Sequence, residues 1–108
     1  RPFCGAAYTS TKGALNTLTK NVAIRLIDTN IRCNAVAPGA TVTPAHLTNK
    51  AGEQPGGAEM LKYSGHFVYF PGPECDPMDQ AYACLYLASK MGCHVKGQVL
   101  QVCNGAFL

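Results

Sequence analysis

Ala7-Tyr8-Thr9-Ser10-Thr11-Lys12-Gly13-Ala14-Leu15, continuing through Leu18-Thr19-Lys20, is the stretch on which the reading of this chain turns. Ala14, Leu15, Leu18, Val22, Ala23 and Leu26 recur at three- and four-residue steps, the spacing of an amphipathic helix. It predicts a helix from about Tyr8 to Asp28. Tyr8 and Lys12 stand one helical turn apart, so their side chains share a face. A phenol beside an ammonium can transfer protons, because the cation favours phenolate and draws the phenol pKa down from about 10. Taken alone, the pair would read as a surface tyrosine with a snorkelling lysine.

Downstream, Asn30 fits the left-handed position that closes a helix. Ile31 to Ala37 reads as a short apolar strand covered on both faces, broken by Pro38-Gly39. Thr43-Pro44 has the form of an N-cap with proline at the first helical position, opening a short helix towards Asn49. Ala51 to Gly57 is glycine-rich and polar, a predicted loop. Its run Gly52-Glu53-Gln54-Pro55-Gly56-Gly57-Ala58 is not a phosphate-binding signature, since it follows no strand and ends on Ala58. Glu59 to Phe70 predicts a further short helix.

Asp76-Pro77-Met78-Asp79 is a clear helix start, with an acidic cap, proline at N1 and a second carboxylate near the positive end. Ala81, Cys84, Leu85 and Ala88 are the predicted buried face, with Gly92 ending the helix. Gln98 to Cys103 reads as the last strand. Helix, strand, excursion, helix, strand implies a right-handed βαβ crossover with parallel strands, an α/β fold. No internal repeat is present.

At 108 residues the chain is at most one domain. With 47% hydrophobic and 14% charged residues it has the composition of a globular chain, and no apolar run approaches the roughly 20 residues of a membrane span. Nine basic against six acidic residues leave a net charge of +3, too small and scattered to suggest nucleic acid. Cys4, Cys33, Cys75, Cys84, Cys93 and Cys103 lie mostly within apolar patterns and form no Cys-x-x-Cys pair. Buried, reduced thiols are therefore expected, which favours the cytoplasm. His46, His66 and His94 are single and show no ligand spacing to the cysteines, so no metal is expected.

Three segments together resemble the C-terminal half of a short-chain dehydrogenase/reductase: Tyr8 to Lys20, Ile31-Arg32-Cys33-Asn34-Ala35-Val36-Ala37-Pro38-Gly39-Ala40-Thr41-Val42-Thr43-Pro44, and Leu85-Tyr86-Leu87-Ala88-Ser89 with Lys96-Gly97-Gln98-Val99-Leu100-Gln101-Val102. The resemblance implies the C-terminal part of a Rossmann-like doubly wound parallel sheet over residues 1–108, with 45–75 as substrate lid. It implies an oxidoreductase that interconverts an alcohol and a ketone with NAD or NADP. Tyr8 would be the general acid/base and also a coenzyme contact, and Lys12 would bind the nicotinamide ribose hydroxyls and tune Tyr8. Pro38, Gly39, Thr41 and Thr43 would line the coenzyme, Gly39 by permitting close backbone approach and Thr43 by its hydroxyl, which could also cap the helix at Pro44.

The same resemblance makes Asn34 a structural tie between strand edges. It sets Tyr63, His66, Phe67 and Tyr69 either along a substrate lid or simply over the sheet. Val102-Cys103-Asn104-Gly105 departs from the family's Asp-Gly-Gly, so the hydrogen bond made by that Asp is expected to be lost, while Asn104 can keep the turn by adopting a positive φ. The family's glycine-rich dinucleotide unit, its catalytic Ser and a further relay Asn fall outside these 108 residues. An internal fragment, inactive and marginally stable alone with an open strand edge, is therefore the expectation. The alternative is a non-catalytic product acting as an oligomerisation module through its last helix and strand, Asp76 to Leu108; the same elements would make a homo-oligomer of the enzyme.

Overall fold

The computed structural model describes residues 5–44, 55–69 and 72–107. Its elements are α1 (Ala6–Arg25), β1 (Ala35–Pro38), α2 (Gly57–Ser64), α3 (Pro77–Ala88), a 3-10 turn (Lys90–Gly92) and β2 (Val99–Val102). β1 and β2 pair in parallel with Ala35 opposite Val99 and Pro38 opposite Val102, as the α/β reading expects. The strand is shorter than predicted and is half-buried with Pro38 exposed, not covered on both faces.

A polar clamp fixes the register at the start of the pair. Asn34 Nδ2 donates to Val95 O at 2.8 Å while Gln98 N donates to Asn34 Oδ1 at 2.9 Å, so one side chain at the start of β1 serves two backbone groups leading into β2. This is the structural tie expected of Asn34. Gly97 N and Ala35 N continue the ladder to Cys33 O and Gln98 O. At the far end Gly39 N donates to Val102 O at 2.8 Å. A Cβ on Gly39 would lie 2.6 Å from Cys103 Cα. The close approach that this glycine permits is therefore to the backbone of Cys103.

The predicted start of α3 is present in full. Asp76 Oδ1 accepts from Met78 N and Asp79 Oδ2 accepts from Asp76 N, both at 2.8 Å, a reciprocal capping box with Pro77 at the first turn. The helix ends at Ala88, short of the Gly92 predicted. Arg32 holds that end: Nη1 donates to Leu87 O and to Gly92 O (2.7 Å), and Nη2 reaches Ala88 O and Ser89 O. A fixed guanidinium thus satisfies carbonyls that a helix end leaves open.

The buried face of α3 is not the one predicted. Ala83 and Leu87 are buried, whereas Ala81, Cys84, Leu85 and Ala88 are exposed. The apolar residues of this helix run around both sides, so spacing alone selects no face. The predicted helix at Glu59–Phe70 is found as α2, two residues earlier at its start and shorter at its end. Pro44 is helical, but the rest of the helix predicted towards Asn49 lies outside the described residues, as do most of the loop from Ala51 and part of the 45–75 lid.

α1 runs from Ala6 and stops at Arg25, earlier than Asp28. Asn30 does not close it in a left-handed conformation, since among the described non-glycine residues positive φ occurs at Asn104 alone. Thr29 does this work instead, donating Oγ1 and N to Leu26 O, while Lys96 Nζ donates to Ile27 O and Thr29 O at 2.9 and 2.8 Å. Within α1 only Thr19 and Ala23 are buried; Leu15, Leu18 and Ile24 stand about half or more exposed. Ala23 packs near Gly97, where a Cβ would come within 3.2 Å.

The core is small, built on Ala23, Val68, Cys75, Ala83, Leu87 and Cys103. Cys75 and Cys103 fit the expectation of buried thiols, but Cys84 and Cys93 are exposed, and Cys4 lies outside the described residues. The radius of gyration is 15.9 Å, against roughly 13 Å for a compact domain of this length. This spread follows from the weak attachment of α1 to the sheet.

Gly39→Ala tests the closure of the pair. The added methyl meets backbone that cannot rotate away, so a loss of about 1–3 kcal/mol, or of the cooperative transition altogether, is expected in urea unfolding followed by circular dichroism. An unchanged midpoint would contradict the close approach to Cys103.

Candidate functional site

Two groups of predicted site residues are carried by different elements. Tyr8 and Lys12 lie in the first turns of α1, whose N-cap is Gly5 with no side-chain cap. Their side chains share a face as the spacing predicts, Lys12 Nζ standing 5.6 Å from the centroid of the Tyr8 ring. Tyr8 is 50% exposed and Lys12 is exposed. The phenol is therefore open to solvent, and the cation sits over its ring, within cation–π range.

Pro38, Gly39, Thr41 and Thr43 follow one another out of the C-terminal end of β1. In an open parallel sheet, this is the end at which ligands are taken. Thr41 makes an isolated parallel bridge with Cys75, and its Oγ1 donates to Gly39 O at 3.3 Å. Val42 N donates to Cys75 O and Cys75 N to Ala40 O, so the loop is stitched to the residue just before α3. Thr43 is half-buried. Among the described residues, no hydrogen bond or ring contact ties Tyr8 or Lys12 to Pro38, Gly39, Thr41 or Thr43.

Gln80 was missed by the sequence reading. Its Nε2 donates to Val102 O at 3.2 Å and to Thr41 Oγ1 at 3.4 Å, joining α3, β2 and the loop after β1. Its Oε1 is buried without a hydrogen-bond partner among the described residues. An amide within an apolar helical pattern carries no sequence signal for such a bridge. An open groove of about 670 Å³ beside it is lined by Arg32, Asn34, Pro38, Cys84 and Leu87 among others, and it includes neither Tyr8 nor Lys12.

The turn after β2 keeps its expected form. Asn104 keeps it with φ 50°, as predicted, and donates Nδ2 to Pro73 O at 2.9 Å. At position 103 the cysteine sulfur accepts from Gln101 Nε2 at 3.2 Å. Burial pushes the Cys103 thiol up, yet the backbone N–H of Phe107, the Gln101 amide and the N–H groups of Gly105 and Ala106 together outweigh it. The net shift is below the usual thiol range. Cys75 moves the other way, raised by burial and then by the charges of Asp79 and Cys103.

On α2, Tyr63 stacks edge-on with His66 at 6.3 Å and tilts against Phe67 at 5.7 Å. Tyr63, Phe67 and Tyr69 are each about 60% exposed, so these aromatics do not cover the sheet. Among the described residues, no group of His, Cys, Asp and Glu has metal-holding geometry, and no helix is long and apolar enough to cross a membrane.

Comparison with known proteins gives concordant matches. A family model described as enoyl-(acyl carrier protein) reductase matches residues 2–106. The 7alpha-hydroxysteroid dehydrogenase of Clostridium sardiniense is 37% identical over 99 residues, covering 92% of this chain and 35% of that protein. The 3beta-hydroxysteroid dehydrogenase 2 of Eggerthella lenta is 34% identical over 102 residues, covering 94% and 37%. Among solved structures, a 7alpha-hydroxysteroid dehydrogenase complexed with NADH and 7-oxo glycochenodeoxycholic acid superposes with a TM-score of 0.69 at 34% identity, covering 93% of this chain and 36% of that one. The chain thus spans little more than a third of the length of these relatives.

Proposed function

The chain belongs to the short-chain dehydrogenase/reductase family, and from that premise we propose that it serves NAD(P)-dependent interconversion of an alcohol and a ketone as the C-terminal half of the catalytic domain. Its fold is α/β, the C-terminal part of a Rossmann-like doubly wound parallel sheet. The observation that carries the proposal is the placement of Lys12 Nζ 5.6 Å from the ring centroid of a half-exposed Tyr8. In this reading the enzyme works in the cytoplasm, in keeping with free thiols at Cys33, Cys75, Cys84, Cys93 and Cys103.

The donor set fits a nicotinamide dinucleotide. Lys12 makes no described hydrogen bond, so its three N–H donors remain available to ribose hydroxyls, and Thr41 and Thr43 bring hydroxyls to the end of β1. Bound NAD(P) supplies the hydride acceptor in oxidation and the hydride donor in reduction. Tyr8 holds the proton at its phenol oxygen, giving it to the carbonyl oxygen in reduction and taking it from the alcohol in oxidation. Lys12 holds its positive charge beside the Tyr8 ring. Pro38, Gly39, Thr41 and Thr43 orient the carboxamide end. Within the substrate lid proposed over residues 45–75, Tyr63 and Phe67 offer apolar contacts to a small-molecule substrate. The 108-residue chain alone is inactive in this account.

A second reading has its own observation. Met78, Tyr82, Leu85 and Tyr86 recur at helical spacing on α3 and stand 51, 61, 60 and 38% exposed, with Met91 beyond them at 71%. Such a stripe supports subunit contact, either in a homo-oligomer of the enzyme or in a chain that acts only as an interaction module.

Two measurements separate these readings. In a protein that joins this chain to its upstream dinucleotide-binding unit, Tyr8→Phe is expected to lower kcat by about 10²- to 10⁴-fold, followed by NADH absorbance, with little change in coenzyme binding. Unaltered kcat would overturn the catalytic reading. Leu85→Glu is expected to shift the 108-residue chain to a smaller species in sedimentation velocity, and an identical distribution for both chains would remove α3 as a contact surface.

A further inference from the structure

Cys75 and Cys103 lie far apart in sequence and on one open groove, which Gln101, Asp79 and Glu74 also line. Cys75 ends the lead-in to α3 and Cys103 follows β2. The loop after β1 brings them together: Gly39 lies against the backbone of Cys103 and Thr41 bridges Cys75. The Cys75 thiol donates to Val102 O at 3.7 Å, the carbonyl of the residue preceding Cys103. Both are more than nine-tenths buried yet free.

Their surroundings differ in a chemically useful way. The chain turns at Asn104 (φ 50°) and Gly105 (φ 78°), and Gln101 Nε2 donates to the Cys103 sulfur at 3.2 Å. Against the upward push of burial, the hydrogen bonding of Phe107, Gln101, Gly105 and Ala106 draws that thiol below its ordinary range. A hydrogen bond to the charged form favours it, and a thiolate is the nucleophilic form of cysteine. Cys75 is surrounded by burial and negative charge and keeps its proton.

We propose that Cys103 and Cys75 form a peroxide-responsive pair, Cys103 as the attacking sulfur and Cys75 as the resolving thiol. The Cys103 thiolate attacks one oxygen of hydrogen peroxide. The O–O bond breaks, hydroxide leaves and is neutralised to water by the proton that the Cys103 thiol released on ionising, and Cys103 becomes a sulfenic acid. The Cys75 sulfur then attacks the Cys103 sulfur, the S–O bond breaks, and the departing hydroxide leaves as water with the Cys75 proton. Two thiols are oxidised to a disulfide and one peroxide is reduced to two waters. The disulfide ties the start of α3 to the end of β2 across Gly39–Thr41. Its consequence for turnover rests on the proposed coenzyme role of that loop, whereas the thiol chemistry stands without it.

The test compares the native 108-residue chain with the same chain unfolded in guanidinium, each treated with hydrogen peroxide and mapped by non-reducing peptide mass spectrometry. The exposed thiols of Cys84 and Cys93 are internal comparators. The Cys75–Cys103 crosslink is expected to dominate in the native chain and to lose its preference on unfolding. In Cys75→Ser, dimedone is expected to label Cys103 ahead of Cys84 and Cys93, and Gln101→Leu to slow that labelling several-fold. Native crosslinks that favour Cys84 or Cys93, the same pairing in both states, or Cys103 left unlabelled in Cys75→Ser would each overturn the proposal. No readout uses coenzyme turnover, so failure here leaves the oxidoreductase reading intact.

Discussion

The parallel pairing of β1 with β2 is the constraint on which the rest of the structure depends. Four residues on each strand make it, so its ends carry unusual weight. Asn34 closes one end by serving two backbone groups, and Gly39 closes the other by bringing its N–H to Val102 O against the Cys103 backbone. A parallel connection must travel the length of the sheet and return. Here the return is α3, fixed at its start by the Asp76–Asp79 box and at its end by Arg32.

Function, in this account, is carried at the periphery of that frame. Tyr8 and Lys12 ride on a helix that buries two of its residues, whereas most helical stability in proteins comes from tertiary packing. Its contacts with the sheet run through Ala23 at Gly97 and through the hydrogen bonds of Lys96 to the carbonyls of Ile27 and Thr29. Leu15, Leu18 and Ile24 leave an apolar face uncovered by the described residues, and among those residues β1 pairs in the sheet with β2 alone. In the fuller domain implied by the family, that face and β1 are where further strands and helices would pack.

What could be read from sequence was what is locally determined. The cap at Asp76-Pro77, the parallel α/β order, the tie at Asn34 and the positive φ of Asn104 each depend on residue chemistry within a few positions or on a single amide. The shared face of Tyr8 and Lys12 follows from helical spacing in the same way. The burial of α3 was misread because Ala81, Ala83, Cys84, Leu85, Leu87 and Ala88 offer apolar residues on both sides, and only the position of the sheet chooses Ala83 and Leu87. Asn30 was assigned a closing role that Thr29 and the distant Lys96 perform. The bridge made by Gln80 needed three elements in place before it had meaning.

Native-state hydrogen exchange on the 108-residue chain tests most directly whether the strand pair is the organising element. The amides of Ala35 and Gly39, which donate across the pair to Gln98 O and Val102 O, are expected to be the slowest to exchange, with the first turns of α1 at Tyr8 to Lys12 exchanging fastest among the helices. Exchange that is slowest in α1, or as fast at Ala35 and Gly39 as in those first turns, would contradict a structure held together by β1 and β2.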